Sequence, residues 1–242
     1  MAKMQVKKNV DVFNQDVLQG QGYKYTTNNS LSSQLSNERM TQAIQESTNW
    51  HGKSVLDIGC GDGTYTHTLI QMGAAKVLGL DPASAAIEKA KESSKDNPRL
   101  HFETGNVYQL DALQQRFDIV VLRGVLHHLP NAAGAIQMAA KVADEIVIVE
   151  PNGANPVLKC IEKLSSYHRL HEEQSFLPST IRKWCFNAGL IPAYSRVINL
   201  VPFFCPSPLA RTLKFFEPLV ERMPLLRNIA CGQVVIRAAV SR

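Results

Sequence analysis

The chain has 242 residues, of which 45% are hydrophobic, enough for a single domain with a substantial core. Its formal net charge is only +5 and no run of five or six like charges occurs, so the composition does not favour a dedicated nucleic-acid binder. The five cysteines form no CxxC pair, which argues against a disulfide framework and against a zinc site. The first residues lack the apolar core of a secretory signal, and no stretch approaches the length of a membrane span. We therefore expect a cytoplasmic protein.

Residues 1–242 are interpreted as one domain. Residues 1–52 are polar, rich in Asn, Gln, Ser and Thr, and form a lead-in that is irregular or helical. Residues 53–150 alternate short apolar runs with stretches of helical composition and are interpreted as the cofactor-binding half. Residues 151–177 and 201–231 do not fit the alternation, so both are interpreted as inserted lids on the scaffold.

Short apolar runs predict seven strands, at residues 54–58, 76–80, 100–104, 117–122, 145–149, 194–200 and 233–240. Helices are predicted at residues 65–72, 83–94 and 131–143, and another between Ser179, an N-cap candidate, and Gly189. Strands that alternate with helices indicate the α/β class, a doubly wound parallel sheet with helices on both faces.

A glycine-rich loop, VLDIGCGDG at residues 55–63, directly follows the first strand and precedes a helix. Its glycines allow a sharp turn and a close approach of the backbone to a ligand. Asp81 ends the next strand about 20 residues further on, which is the spacing for a carboxylate that accepts hydrogen bonds from ribose hydroxyls. The loop therefore indicates a nucleoside-containing cofactor.

Two cofactor classes share this arrangement, and two residues separate them. A dinucleotide dehydrogenase has the pattern GxGxxG, whereas Thr64 stands here at the third glycine. Asp57 would repel a pyrophosphate at the start of the helix, but suits a ligand with an ammonium group and no phosphate. S-adenosylmethionine is such a ligand.

The chain resembles the class I S-adenosylmethionine-dependent methyltransferases, in particular small-molecule members of the type 11/12 kind. VLDIGCGDG resembles their first motif, VLGLDPA at residues 77–83 their second, ETGNV at residues 103–107 their third, and FDIVVLRGVLHHLP at residues 117–130 their fourth strand and its loop. Many members have Asp where this chain has Asn106, whose side-chain oxygen is expected to accept from the adenine amino group. The residues that the resemblance assigns to the cofactor are Asp57, Gly59, Cys60, Gly61, Asp81, Pro82, Asn106, Val107 and Arg123, with Tyr25 or Tyr23 closing over it from the lead-in.

The resemblance also implies the fold in detail. It predicts a Rossmann-like, seven-stranded, mostly parallel sheet whose last strand is inserted antiparallel, with helical lid insertions. The cofactor is then S-adenosylmethionine, with S-adenosylhomocysteine as its product, and no metal is expected.

Three histidines are candidates for a catalytic base, which an oxygen or amine acceptor needs because it must lose a proton. His127 and His128 follow the fourth strand, and His171 lies in the first insertion. A metal site built from His168, His171 and Glu172 is the less favoured interpretation, because the loop after the fourth strand supplies no acidic partner.

The second insertion is expected to form an amphipathic helix that begins at Ser207 and Pro208, while its several prolines forbid one long helix. Its apolar face is assigned to a lid over the acceptor pocket, lined by Phe203, Phe204, Phe215 or Phe216. A homodimer interface and a weak contact with a membrane surface are the alternatives.

The sequence thus predicts an S-adenosylmethionine-dependent methyltransferase that acts on a small molecule, with oxygen as the favoured acceptor atom. Nucleic acid is not expected as a partner. The competing hypotheses are methylation of a protein or an RNA, and a catalytically idle cofactor-binding subunit.

Overall fold

Seven strands form one sheet in the computed structural model, which describes residues 29–164 and 174–240. The strands are β1 (Ser54–Ile58), β2 (Lys76–Asp81), β3 (Leu100–Thr104), β4 (Phe117–Arg123), β5 (Ala143–Pro151), β6 (Leu190–Ile198) and β7 (Gln233–Val240). Their order is β3-β2-β1-β4-β5-β7-β6. Strands β1 to β5 pair in parallel, whereas β7 runs antiparallel to both β5 and β6. The predicted fold class, including the antiparallel last strand, is confirmed.

Helices flank the sheet on both faces. They are α1 (Leu31–Ser47), α2 (Thr66–Gln71), α3 (Ser84–Ser94), α4 (Ala132–Val142), α5 (Pro156–Leu164), α6 (Pro178–Asn187), α7 (Ser207–Arg222) and α8 (Pro224–Ala230). The lead-in therefore contains a 17-residue helix, which Ser30 caps by accepting from the Ser33 amide. Ser179 is not an N-cap, because α6 begins at Pro178 after Leu177.

Two apolar clusters form the core, one on each face of the sheet. Along β1, Leu56 and Ile58 belong to one cluster and Val55 to the other, as the alternation of side chains along a strand requires. All three residues are buried, which is typical of a parallel sheet covered by helices on both faces.

The edge strand β6 begins earlier than the sequence predicts, at Leu190 rather than at Tyr194. Pro192 interrupts the apolar run, and the register between β6 and β7 shifts between Pro192 and Tyr194. Proline lacks an amide donor and is accommodated in sheets at edges and bulges. The strand therefore continues through Pro192, although a proline disfavours a strand in a prediction from sequence.

The two insertions contain α5 in the first and α7 and α8 in the second. Helix α7 begins at Ser207 as predicted, but it runs for 16 residues with Pro218 inside it. Within residues 29–164 and 174–240, no helix is both long enough and apolar enough to cross a bilayer.

Candidate functional site

A cavity of about 610 Å³ lies at the carboxyl ends of the parallel strands. Residues at or near the ends of four strands line it: Ile58 of β1, Asp81 of β2, Arg123 of β4 and Pro151 of β5. The chain reverses its direction of travel across the sheet between β1 and β4, and such a switch point is where open α/β sheets bind ligands. The volume lies within the usual range for small-molecule sites.

The glycine loop forms one wall of the cavity. Gly59 and Gly61 have φ angles of +73° and +55°, a region that favours glycine. A Cβ atom on Gly59 would lie 2.5 Å from a methyl carbon of Val125, and the Gly59 amide donates to the Leu80 carbonyl at 2.7 Å. The loop is therefore held against β2 and against the segment after β4.

Asp81 is buried beside this loop. Its carboxylate oxygens accept from the amides of Ala83 (2.8 Å) and Gly61 (3.0 Å). Burial raises the pKa of Asp81, while the two amide bonds oppose that rise. Each oxygen keeps a second lone pair, so the carboxylate is able to accept from two ribose hydroxyls without losing its own loop contacts.

Asp57 is the second buried carboxylate of the site. It accepts from the Thr66 hydroxyl at 2.6 Å. Burial raises the pKa of Asp57 to about 6, against the opposing effects of Thr66 and Arg123. An ammonium group in the cavity would favour the ionised form of this carboxylate.

Arg123 connects the cavity to α1. Its guanidinium donates to the Thr41 hydroxyl (3.1 Å) and to the Asn37 side-chain oxygen (3.2 Å), and it lies 3.7 Å from the centre of the Tyr65 ring. Burial lowers the pKa of Arg123 to about 10, so it stays protonated at neutral pH. It is therefore a cation suited to a carboxylate at this end of the cavity.

Asn106 makes a structural contact that the sequence did not predict. Its side-chain oxygen accepts from the Tyr108 amide at 2.9 Å and caps a short 3-10 helix, Val107–Leu113. This contact uses one lone pair of the amide oxygen, and the second remains available for the predicted bond from the adenine amino group. Nearby, burial raises the pKa of the Cys60 thiol, which stays neutral.

His127 and His128 also line the cavity, on a 3-10 helix, Leu126–His128, that follows β4. The Glu150 carboxylate, which is fully buried at the end of β5, lies 2.7 Å from Nδ1 of His127. The same carboxylate accepts from the amides of Val125 and Leu126 at 2.8 and 2.7 Å. Glu150 thus orients the loop and the His127 ring. Sequence reasoning missed this role, although an acidic residue at the end of a buried strand was a usable signal.

Within the described part of the chain, every residue predicted to bind the cofactor or to act as a base lines this cavity. Tyr23, Tyr25, His168, His171 and Glu172 lie outside the described residues. Among the described residues, no group of three or more His, Cys, Asp or Glu side chains is arranged to hold a metal ion.

The insertions contribute the apolar walls of the cavity, with one correction. Phe203 and Phe204 line the cavity, as do Leu158 and Ile161 of α5. Phe215 and Phe216 do not: both are exposed, Phe215 to 79%. The reason is that α7 buries Glu217 and Glu221 against the protein and turns its aromatic side chains outward.

The residues present fit S-adenosylmethionine. The buried Asp81 carboxylate has lone pairs for ribose hydroxyls, the Asp57 carboxylate and the Arg123 guanidinium offer partners for an ammonium and a carboxylate, and the glycine loop allows close approach of the backbone. The fold and this site together define a class I S-adenosylmethionine-dependent methyltransferase.

Comparison with known proteins agrees with this class. A family model described as "Methyltransferase domain" matches residues 50–196, more than half of the chain, and the protein belongs to that family. Its cofactor is S-adenosylmethionine.

Curated relatives include the "Ubiquinone biosynthesis O-methyltransferase" of Neisseria meningitidis serogroup A, 29% identical over 57% of this chain. This chain spans 64% of the length of that relative, just under two thirds. The protein of the same name from Haemophilus ducreyi is 24% identical over 78% of this chain and 79% of its own length. A solved structure, magnesium protoporphyrin IX methyltransferase from Synechocystis PCC 6803 with bound SAH, has a TM-score of 0.64 and 19% identity, and 98% of each chain is covered. This likeness shows the shared fold.

Proposed function

We propose that the protein methylates an oxygen atom of an apolar small molecule. One observation carries the proposal: a single cavity of about 610 Å³ joins the cofactor residues, a histidine oriented by a buried carboxylate, and apolar walls from both insertions. A polymer substrate needs an open groove, preferably a charged one, whereas this cavity is walled by Phe203, Leu158 and Ile161.

The cofactor, when bound, supplies an electrophilic methyl carbon on a positively charged sulfur. The chain holds it through Asp81 at the ribose and through Asp57 and Arg123 at the amino acid end. Alignment of the acceptor oxygen with the methyl carbon provides much of the rate, because the reaction then becomes effectively unimolecular. In the transfer, the acceptor O–H bond and the S–CH₃ bond of the cofactor would break and an O–CH₃ bond would form, with the proton passing to a base and S-adenosylhomocysteine leaving.

His127 is the residue we assign as the base that takes the hydroxyl proton. The Glu150 carboxylate already accepts from the Val125 and Leu126 amides, so we assign it as the acceptor in the 2.7 Å contact as well and place the hydrogen on Nδ1 of His127. The proton from the acceptor is then taken by Nε2, and Glu150 stabilises the imidazolium that results. Glu150 is a positioning residue, and His128, also in the cavity, is the alternative base.

An aromatic hydroxyl is the acceptor class we favour. A phenol has a pKa near 10, roughly that of tyrosine, so a histidine base is able to take its proton. An aliphatic hydroxyl has a much higher pKa and gives up its proton far less readily. The ubiquinone-biosynthesis names of the relatives support the same choice.

The five free cysteines support a cytoplasmic location.

The test is release of S-adenosylhomocysteine from the whole protein against a library of phenols and catechols with and without apolar tails. We expect turnover with an apolar phenol. His127→Ala should lower kcat by about 10²- to 10⁴-fold, the usual contribution of a general base. Its affinity for S-adenosylhomocysteine should be unchanged, because His127 lies outside the residues assigned to the cofactor.

The matched comparison is Asp81→Ala, which should instead weaken S-adenosylhomocysteine binding by about 1–3 kcal/mol, measured by calorimetry. Turnover with a peptide or an RNA and with no small molecule would overturn the proposal. Tight cofactor binding without turnover of any acceptor would support the idle-subunit hypothesis instead.

A further inference from the structure

Helix α7 is amphipathic with its apolar face turned outward. The side chains it buries are Ala210, Glu217 and Glu221. Four of its bulky apolar side chains, Leu209, Phe215, Phe216 and Leu219, are exposed, whereas Leu213 and Val220 are half-buried. A helix at the surface of a globular protein normally has the opposite orientation.

Paired charges fix this orientation. Glu221 accepts from Nε and Nη2 of Arg39 at 2.9 and 2.6 Å and from the Asn199 amide at 3.0 Å. Glu217 accepts from the Leu200 amide at 3.0 Å. Rotation of the helix to bury its apolar face would leave Arg39 buried without its carboxylate, which costs several kcal/mol. The outward apolar face is therefore a stable feature of the fold.

The exposed apolar surface continues over two neighbouring helices. Leu225, exposed to 86%, and Ile229 are on α8, which follows α7 after one residue. Helix α5 buries none of its residues, and its start is joined to the end of α8 by a 3.1 Å hydrogen bond from the Asn155 amide group to the Ala230 carbonyl. We define the apolar face as Phe215, Leu219, Leu225, Ile229, Val157 and Ile161.

The apolar face reaches the rim of the cavity. Val157 and Ile161 are exposed and at the same time line the cavity, and Ala230, next to Ile229, lines it as well. A molecule that enters between α5 and α8 thus passes from one apolar surface to another.

The charges around the apolar face are mostly positive. On α5, Lys163 is exposed, and the one acidic residue, Glu162, is half-buried and pairs with Lys159 at 3.0 Å. Arg211 and Arg222 are exposed, and Lys214 and Arg227 are half-buried, whereas the two acidic residues of α7 and α8 are both buried. Two copies that met through this face would bring like charges together. A bilayer with anionic headgroups offers apolar and electrostatic complementarity at once.

We propose that the apolar face docks on an anionic lipid bilayer and that the acceptor reaches the cavity from the lipid. The second part rests on the proposed function, because it needs an apolar acceptor. The helices lie on the bilayer and do not span it.

The experiment is flotation of the whole protein with vesicles of phosphatidylcholine, alone or mixed with phosphatidylglycerol. We expect binding to the mixed vesicles that weakens as salt is raised, since the cations of the rim are exposed to screening. The triple variant Phe215→Gln, Leu219→Gln, Leu225→Gln should lower the partition coefficient by about tenfold or more, because each change removes an apolar side chain from the contact.

Phe186→Gln is the matched control. The exposed fraction of Phe186, 70%, is similar to that of Phe215, 79%, but Phe186 belongs to α6 and not to the apolar face. The Phe186→Gln variant should leave vesicle binding unchanged. The triple variant should keep its affinity for S-adenosylhomocysteine, which would show that the triple variant is folded.

Three results would overturn the inference. They are wild-type protein that floats with neither vesicle, a triple variant that floats like the wild type, and a wild-type dimer in sedimentation velocity that the triple variant dissociates. Turnover of a dispersed phenol without vesicle binding would overturn the docking alone. Vesicle binding without any turnover would support the docking and count against the proposed function.

Discussion

At the scale of single residues, Asp57 makes cofactor binding depend on pH. Its pKa is raised by burial from 3.8 to about 6, so between these values the folded apo protein holds a proton that the unfolded chain has lost. The stability of the apo protein therefore falls as pH rises through this window. An ammonium group bound beside Asp57 favours the ionised carboxylate, so the bound protein no longer prefers the protonated form.

We expect the affinity for S-adenosylmethionine to rise as pH increases from 5 to about 6 and then to level off, by up to about tenfold per pH unit. Calorimetry across pH 5–8 measures this. Asp57→Asn should bind more weakly and lose this part of the dependence, while its apo form should gain thermal stability at pH 7. A wild-type affinity that is flat over the range would contradict the assignment of Asp57 to the ammonium group.

The site residues that could be predicted are those in continuous motifs. Gly59, Gly61 and Asp81 are specified locally, because a strand, a tight turn and a second strand fix their relative positions. Glu150 and His127 come from the ends of two different strands and meet only because β4 and β5 are neighbours. Asn106 was identified by its motif, but its capping bond depends on a turn geometry that composition does not give.

At the scale of elements, the ion pair of Arg39 and Glu221 holds α1 against α7. Both side chains are almost fully buried, so removal of one partner leaves an uncompensated charge. We expect Glu221→Ala to lower the free energy of unfolding by about 3–5 kcal/mol. Because α1 carries Asn37 and Thr41, which hold Arg123, cofactor affinity should fall as well.

Urea unfolding and calorimetry measure both effects. Glu88→Ala is the control: it removes a carboxylate from an exposed pair with Lys91 on α3 and should cost at most about 0.5 kcal/mol. Equal stability of the Glu221 and Glu88 variants would show that the buried pair contributes little.

Elements with a simple burial pattern were predicted to the residue, and the others were not. The bounds of β1, β3 and β7 agree with the sequence prediction because each is an uninterrupted strand-like run. The predicted start of β6 was wrong because Pro192 lies at a bulge on the edge strand of the sheet, where a proline is tolerated. The prediction that Phe215 or Phe216 of α7 would line the acceptor pocket was wrong, because the side of the helix that faces the protein is occupied by Glu217 and Glu221.

At the scale of the whole molecule, the last strand in sequence, β7, is an internal strand of the sheet. It lies between β5 and β6 and pairs with both. We expect a chain that ends at residue 231 to expose two unpaired strand edges, to aggregate and to fail to bind S-adenosylhomocysteine. Gel filtration and calorimetry test this, and a monomeric truncated chain with normal affinity would contradict it.

The contact of Arg39 with Glu221 also has a consequence for biosynthesis. The two residues are 182 positions apart, and a ribosome needs about 10 to 40 s to make that length of chain. From the synthesis of Asp81 until that of Glu221, the glycine loop and Asp81 are present, but Arg39 of α1 lacks its Glu221 partner and β7 does not yet exist. We therefore expect the nascent chain to carry a complete cofactor motif without a complete cofactor site until α7 and β7 have been made.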